Sequence, residues 1–272
     1  MMFDKLEKVN IMSDTEITLG DMHFREANEL VRAALETSDD VVLRDVYAQR
    51  YLGCAMGEGK RLAIYGTPGN DMASYMDGGQ IEVFGSAQDQ TGNTMNAGQI
   101  VVHGRCGDAA GYAMRGGHIY VRDGAGWRCG INMKQYGAHH PTIVIGGDAG
   151  AFLGEYMAGG TIVCMGEVGP YLASGMHGGA IFLRHALEAN AVPEGLELTK
   201  VGADADAQNA EGAEDSAACA AAASAEDIAQ LTALLDAYYE FFGDELEGPR
   251  ATPQDFYKLA PLSSRPYENM YA

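Results

Sequence analysis

The chain is 272 residues long, 47% hydrophobic and strongly acidic, with 18 Lys and Arg against 38 Asp and Glu for a formal net charge of -20. That balance argues against nucleic acid or an anionic membrane surface as a partner, and the length suits one elongated domain with appendages. Five cysteines at unrelated spacings give neither a disulfide framework nor a metal cluster; no stretch is apolar enough to span a bilayer and the charged N-terminus is no signal peptide, so the expected location is the cytoplasm.

The first element expected is a helix capped at Asp21 and running to about Leu35, with Phe24, Ala27, Leu30, Val31, Ala34 and Leu35 on one stripe. Residues 1–40 therefore read as a strand and helix that cap the open end of the domain that follows.

From residue 41 to 186 the sequence is periodic. Met76, Met95, Met114 and Met133 stand 19 residues apart, and after a 5-residue insertion the beat resumes at Met157 and Met176. Three residues before each Met stand Ala73, Gly92, Gly111, Gly130, Gly154 and Ala173. Alternating aliphatic pairs recur on the same beat: Leu62/Ile64, Ile81/Val83, Ile100/Val102, Ile119/Val121, Ile143/Ile145, Ile162/Cys164 and Ile181/Leu183. Strict alternation means that one strand face is buried. Short strand sides must be joined by sharp corners, which is glycine's niche. Stacked turns pair their strands in parallel and bury the Ile, Val and Met columns, which no single turn could do alone. The expected fold is an all-β solenoid, a parallel β-helix of about seven turns, to which Val41-Val42-Leu43, placed 19 residues before Leu62, adds a further side.

Residues 187–225 form an acidic, Ala-rich insert. The capping-box pattern Ser224-x-x-Asp227 then opens a helix carrying Ile228, Leu231, Leu235, Tyr238 and Phe242, with Gly243 as its stop. Residues 226–272 are thus a helix plus an extended tail whose Phe256, Tyr257, Leu259, Tyr267 and Tyr271 should lie along a surface, the chain's own or a partner's.

Candidate chemistry is sparse. The glycines do not make a dinucleotide fingerprint, because that motif needs a βαβ unit and a 19-residue turn has no room for its helix. Tyr136, His139 and His140 lie in the one insertion that breaks the beat; adjacent imidazoles can ligate a metal, yet no Cys or carboxylate stands at ligand spacing, which favours a structural or interface loop. His103 and Arg122 fall at outward strand positions and are expected to be solvated. Cys54, Cys106 and Cys129 sit near glycines in turns and Cys164 at a core position, none with an assignable base. The middle outward position runs Ala63, Glu82, Val101, Tyr120, Val144, Val163 and Phe182: one acid, not the pair that glycoside chemistry needs. From Val101 through Tyr120 to Phe182 this row is an apolar stripe that the chain's own helices and tail, another subunit, or both must cover. The candidate interface residues are therefore Tyr136, His139, His140, Val101, Tyr120 and Phe182, and no catalytic, cofactor-binding or metal-binding residue is assigned.

The stretches Gly66-Thr-Pro-Gly-Asn-Asp-Met72, Ala87-Gln-Asp-Gln-Thr-Gly-Asn-Thr-Met95, Gly111-Tyr-Ala-Met-Arg-Gly-Gly117 and Phe152-Leu-Gly-Glu-Tyr-Met-Ala-Gly-Gly160 resemble the GXGXG domain of glutamate synthase. The similarity runs from Gln49 to about Leu183, includes Arg265-Pro266-Tyr267, and is greatest to the stand-alone form in archaeal-type enzymes. The resemblance implies a right-handed parallel β-helix packed beside a glutaminase and a flavin-bearing synthase, in an enzyme that converts glutamine and 2-oxoglutarate to glutamate for nitrogen assimilation. It further implies that FMN and an iron–sulfur cluster reside in those partner subunits and none in this chain. The function expected is that of a non-catalytic structural subunit, with a possible homo-oligomer. A component of formylmethanofuran dehydrogenase complexes shares the repeat and is the alternative, as is a free-standing β-helix enzyme or structural protein.

Overall fold

The computed structural model describes residues 15–202 and 224–263. In it the aliphatic alternation becomes a stack of strands: β1 (Thr15–Thr18), β2 (Asp40–Tyr47), β3 (Arg61–Thr67), β4 (Asp77–Phe84), β5 (Ala97–Val102), β6 (Arg105–Cys106), β7 (His118–Val121), β8 (Gly124–Ala125), β9 (Thr142–Ile145), β10 (Ala158–Cys164) and β11 (Gly178–Leu183). One face of the solenoid is a sheet in the order β1-β2-β3-β4-β5-β7-β9-β10-β11, every pair parallel. Leu62, Ile81, Ile100, Ile119, Ile143, Ile162 and Ile181 are consecutive register partners, so one position per turn builds a continuous buried ladder.

The first turn departs from the beat. Leu62 pairs with Val41 rather than Leu43, a spacing of 21 residues. An irregularity between Leu43 and Val46, with Asp45 in left-handed backbone at φ 51, takes up one of the two extra residues, since Val46 pairs with Gly66. The strand from Asp40 therefore adds a rung to the seven that the beat marks.

Each turn has two further sides. Ala87, Cys106, Ala125, Ala149 and Val168 form a short parallel column. The third side is the run before each Met, where left-handed backbone recurs at alternate residues: Gln90, Gly92 and Thr94; Ala109, Gly111 and Ala113; Arg128, Gly130 and Asn132; Phe152, Gly154 and Tyr156. In these four turns glycine stands only at the middle position, which Ala73 and Ala173 fill in the first and last turns of the series, at φ 60 and 52. A Cβ on Gly111 would lie 2.4 Å from Ile143 Cδ1, and one on Gly130 would lie 2.5 Å from Ile162 Cδ1, whereas the flanking side chains point away from the core. The alternation also satisfies the backbone: Gln90 and Thr94 N–H donate to Asp108 and Tyr112 of the turn ahead, while Gly92 N–H donates to Met72 of the turn behind.

Inside, the Met column is fully buried, and so is a column four residues before it: Met72, Thr91, Ala110, Cys129, Leu153 and Leu172. Thr91 is tolerated there because its hydroxyl donates to Gln88 O at 3.1 Å.

Both ends are closed by the chain itself. At the first, helix α1 (Phe24–Thr37) buries Ala27 and Val31, while Asn28 donates to Phe24 O and Arg50 O, each at 2.7 Å. Its cap is His23, whose Nδ1 accepts from Arg25 N at 3.4 Å, not Asp21, and Leu30 is exposed rather than on the docked stripe. At the last, β12 (Leu196–Lys200) and β13 (Tyr257–Pro261) extend the sheet in antiparallel fashion from β11, so this part of the tail lies on the chain's own edge.

Helix α2 (Ala225–Phe242) opens with the expected capping box: Ser224 Oγ accepts from Asp227 N at 3.1 Å and the Asp227 carboxylate accepts from Ser224 N at 2.7 Å. Gly243 stands at the helix end but in right-handed backbone, φ -56, and runs on into a 3₁₀ turn, Gly243–Glu245. The helix is therefore not stopped by a left-handed glycine. Most of the acidic insert, 203–223, and the tail from Ser264 with Arg265, Pro266, Tyr267 and Tyr271 lie outside the described residues. Among the described residues no helix is long and apolar enough to cross a membrane.

Candidate functional site: outer face, polar groove and corner edge

The outward apolar stripe is buried beneath α2. Val101, Tyr120, Val144, Val163 and Phe182 pack against Leu231, Leu234, Leu235, Tyr238 and Phe242 in one cluster. Val101 and Phe182 are fully buried and Tyr120 nearly so. Three of the candidate interface residues thus meet this chain's own helix; Val101 and Phe182 leave no surface for another subunit, and Tyr120 keeps only an edge at the groove described below. Tyr238 fastens the helix through its hydroxyl, which donates to Arg122 O at 3.0 Å.

The helix ends on a polar latch that sequence reasoning placed in solvent. His103 is buried, not solvated, with its ring stacked on Phe84 at 4.9 Å and edge-on to Phe242 at 5.0 Å. Its Nδ1 lies 2.6 Å from Glu245 Oε1 and its Nε2 lies 2.9 Å from Glu82 Oε1. Burial pulls the imidazole pKa down, but the hydrogen bonds and charges of Glu82 and Glu245 outweigh it and hold the pKa above its ordinary value. Arg122 is half-buried as well, clamped between Asp123 at 2.7 Å and the Glu245 carboxylate. Glu82 and His103 were within reach of the register, being on adjacent rungs. Glu245 arrives from a helix 142 residues away, which no local signal announces.

Beside α2 lies an open groove of about 980 Å³, floored by the starts of successive strands and walled by α2 and the 138–140 insertion loop. His139 and His140 line it; Tyr136 does not, and is exposed on the loop beside it. His140 Nε2 sits 2.8 Å from Thr161 Oγ1 and 2.9 Å from the Gln230 side chain, and its Nδ1 sits 3.1 Å from Gln135 Oε1. His140 therefore ties the loop to β10 and α2. Burial holds its pKa below the ordinary imidazole value, and enclosure by the groove walls, then His140 itself, does the same to His118. Among the described residues no carboxylate lines the groove, and no group of three or more His, Cys, Asp or Glu is placed to hold a metal.

The buried cysteines are equally quiet. Cys106 and Cys164 are pushed up to about 12 by burial, which keeps the thiols protonated and unreactive.

The corner edge is different. Tyr75, Tyr112, Trp127, Tyr156 and Tyr171 are exposed there. Phe152 stacks on Tyr171 at 4.8 Å, with the Arg128 guanidinium 4.7 Å from the Phe152 ring and 3.1 Å from Glu155. Tyr75, Phe152, Tyr156 and Tyr171 all adopt left-handed backbone, φ 57, 64, 52 and 61. Equivalent positions in other turns hold Gln90, Thr94, Ala109 and Ala113, so the repeat itself does not ask for aromatic residues. Left-handed backbone costs any non-glycine residue roughly 1–2 kcal/mol through its Cβ, a cost these turns bear at Ala109 and Ala113 as well, so what sets Tyr75, Tyr156 and Tyr171 apart is large rings left exposed.

Residues 39–244 match the model of the GXGXG motif family. An uncharacterized protein of Methanocaldococcus jannaschii, MJ1350, is 49% identical over 157 residues, a match covering 56% of this chain and 59% of that one. With the matched span extending over more than half of the chain and coinciding with the solenoid and its covering helix, the protein belongs to the GXGXG motif family.

Proposed function

We propose that the chain is a non-catalytic structural subunit of a multi-subunit glutamate synthase, holding a glutaminase-type chain and an FMN- and iron–sulfur-bearing synthase chain in register. The observation that carries this reading is the row of exposed aromatics on strained corners, Tyr75, Tyr156 and Tyr171 with Phe152 and Arg128. Large rings kept exposed at positions that Gln90, Thr94 and Ala113 fill in other turns point to a role in contact rather than in folding. Aromatic and arginine side chains are also the residue types that anchor protein interfaces. Membership of the GXGXG family supports the choice of enzyme.

Affinity purification of the native chain from its own cell tests the reading. Recovery of a glutaminase-like and a flavin synthase-like polypeptide in constant ratio is the expected result. Recovery of the chain alone, or only with copies of itself, overturns it.

A further inference from the structure

The groove beside α2 has a composition at odds with the rest of the molecule. The chain carries 38 acidic residues, yet among the described residues none lines the groove. Its floor is a single outward column, Arg61, Gln80, Gln99 and His118, register partners on four successive rungs. At ~4.8 Å per rung the column is about 14 Å long. The side-chain amides of Gln80 and Gln99 make no hydrogen bond among the described residues, so a donor and an acceptor from each face open space. Tyr120 has its ring buried under α2 and borders the same groove. Lys60 and Arg61 close one end; their partners stand outside the groove, Asp39 at 2.8 Å and Ser38 O at 3.4 Å for Lys60 and Asp40 at 3.4 Å for Arg61, and the Arg61–Asp40 pair is exposed on both sides and holds its cation only weakly.

We propose that this groove binds an extended acidic peptide segment of a partner chain. Carboxylates of the segment meet Lys60 and Arg61, while its backbone amides meet the Gln80 and Gln99 ladder, which can both donate and accept. A small carboxylate would occupy one end of the row and leave the amides unpaired. The net charge of -20 opposes nucleic acid, a polyanion along its whole length, whereas the segment needs acidic side chains only where it meets Lys60 and Arg61. The site stands on this chain's own residues and does not depend on which enzyme the chain serves.

Fluorescein-labelled hexaglutamate, titrated with the full-length chain and read by fluorescence anisotropy, is the direct probe. Saturable binding is expected, with no competition from unlabelled hexaglutamine. Lys60→Gln and Arg61→Gln should each weaken binding about tenfold, the loss typical of one charge-assisted hydrogen bond, and Gln99→Ala about threefold, the loss typical of a neutral one. These side chains lie outside the hydrophobic core, and an unchanged thermal midpoint for each variant confirms that the fold is intact. Tyr171→Ser, on the corner edge, should leave hexaglutamate binding as it is, which separates failure of this site from failure of the scaffold reading. Absence of binding at millimolar peptide, equal binding of hexaglutamine, or binding indifferent to Arg61→Gln and Gln99→Ala overturns the proposal.

Discussion

The strand face and the corner edge of the solenoid both point outward, and the chain treats them in opposite ways. On the strand face an apolar row from Val101 to Phe182 is continuous across rungs, and the chain folds its own helix α2 over it. On the corner edge the aromatics stand in left-handed backbone and remain exposed. A continuous stripe left in water would be an aggregation hazard, so the chain covers it. Separated rings on a rigid edge can stay exposed, and there they offer contact area at small loss of side-chain freedom.

The comparison can be broken at several depths. Gly130→Val attacks what both surfaces share. The new side chain would need left-handed backbone at φ 71 and would collide with Ile162 Cδ1, so we expect a loss of about 3–5 kcal/mol, or failure to fold, in urea denaturation. Phe242→Ala acts on the strand face alone. Removing this fully buried ring from the α2 cluster should cost about 3–4 kcal/mol, with protection of α2 amides from hydrogen exchange lost before that of the Ile ladder.

His103→Gln probes the latch at the helix end. Because the folded pKa of His103 is raised, its contribution to stability is fully present below the unfolded value of about 6.5 and is lost as pH rises through the folded value. The wild type should therefore lose stability with rising pH in that window relative to His103→Gln, whose loss at low pH should be about 2 kcal/mol for charge-assisted hydrogen bonds removed. Thermal melts of both proteins from pH 5 to 9 read the difference. Ser224→Ala removes only the cap of α2 and should cost about 1 kcal/mol in the same assay.

The parts of the molecule legible in the sequence are those where period alone decides the outcome. Ile81 to Ile181 could be placed because a two-residue alternation on a fixed beat leaves one arrangement of core. Ser224 and Asp227 could be placed because a capping box is local chemistry. Period says which way a side chain points but not what lands on it, and for that reason His103 and Arg122 were expected in water when Glu245 in fact closes over them. Leu43 shows the same limit in the backbone: the beat names it as the partner of Leu62, but this turn carries two extra residues, one of them taken up at the left-handed Asp45, and Val41 takes the place. The groove was half legible, since the insertion marked His139 and His140. Gln80 and Gln99 carry no signal in sequence, and they matter only because the stack aligns them.

The most direct measurement compares capture by the wild type with capture by a Tyr156→Ser/Tyr171→Ser double variant, both purified from the native cell. Exposed side chains contribute little to folding, so the thermal midpoints should agree within about 2 °C. The account predicts that the wild type retains the glutaminase-like and synthase-like chains and that the double variant loses them at least tenfold, as expected when interface anchors are removed. Equal retention by the two proteins, or a wild type recovered with no partner but itself, would contradict it.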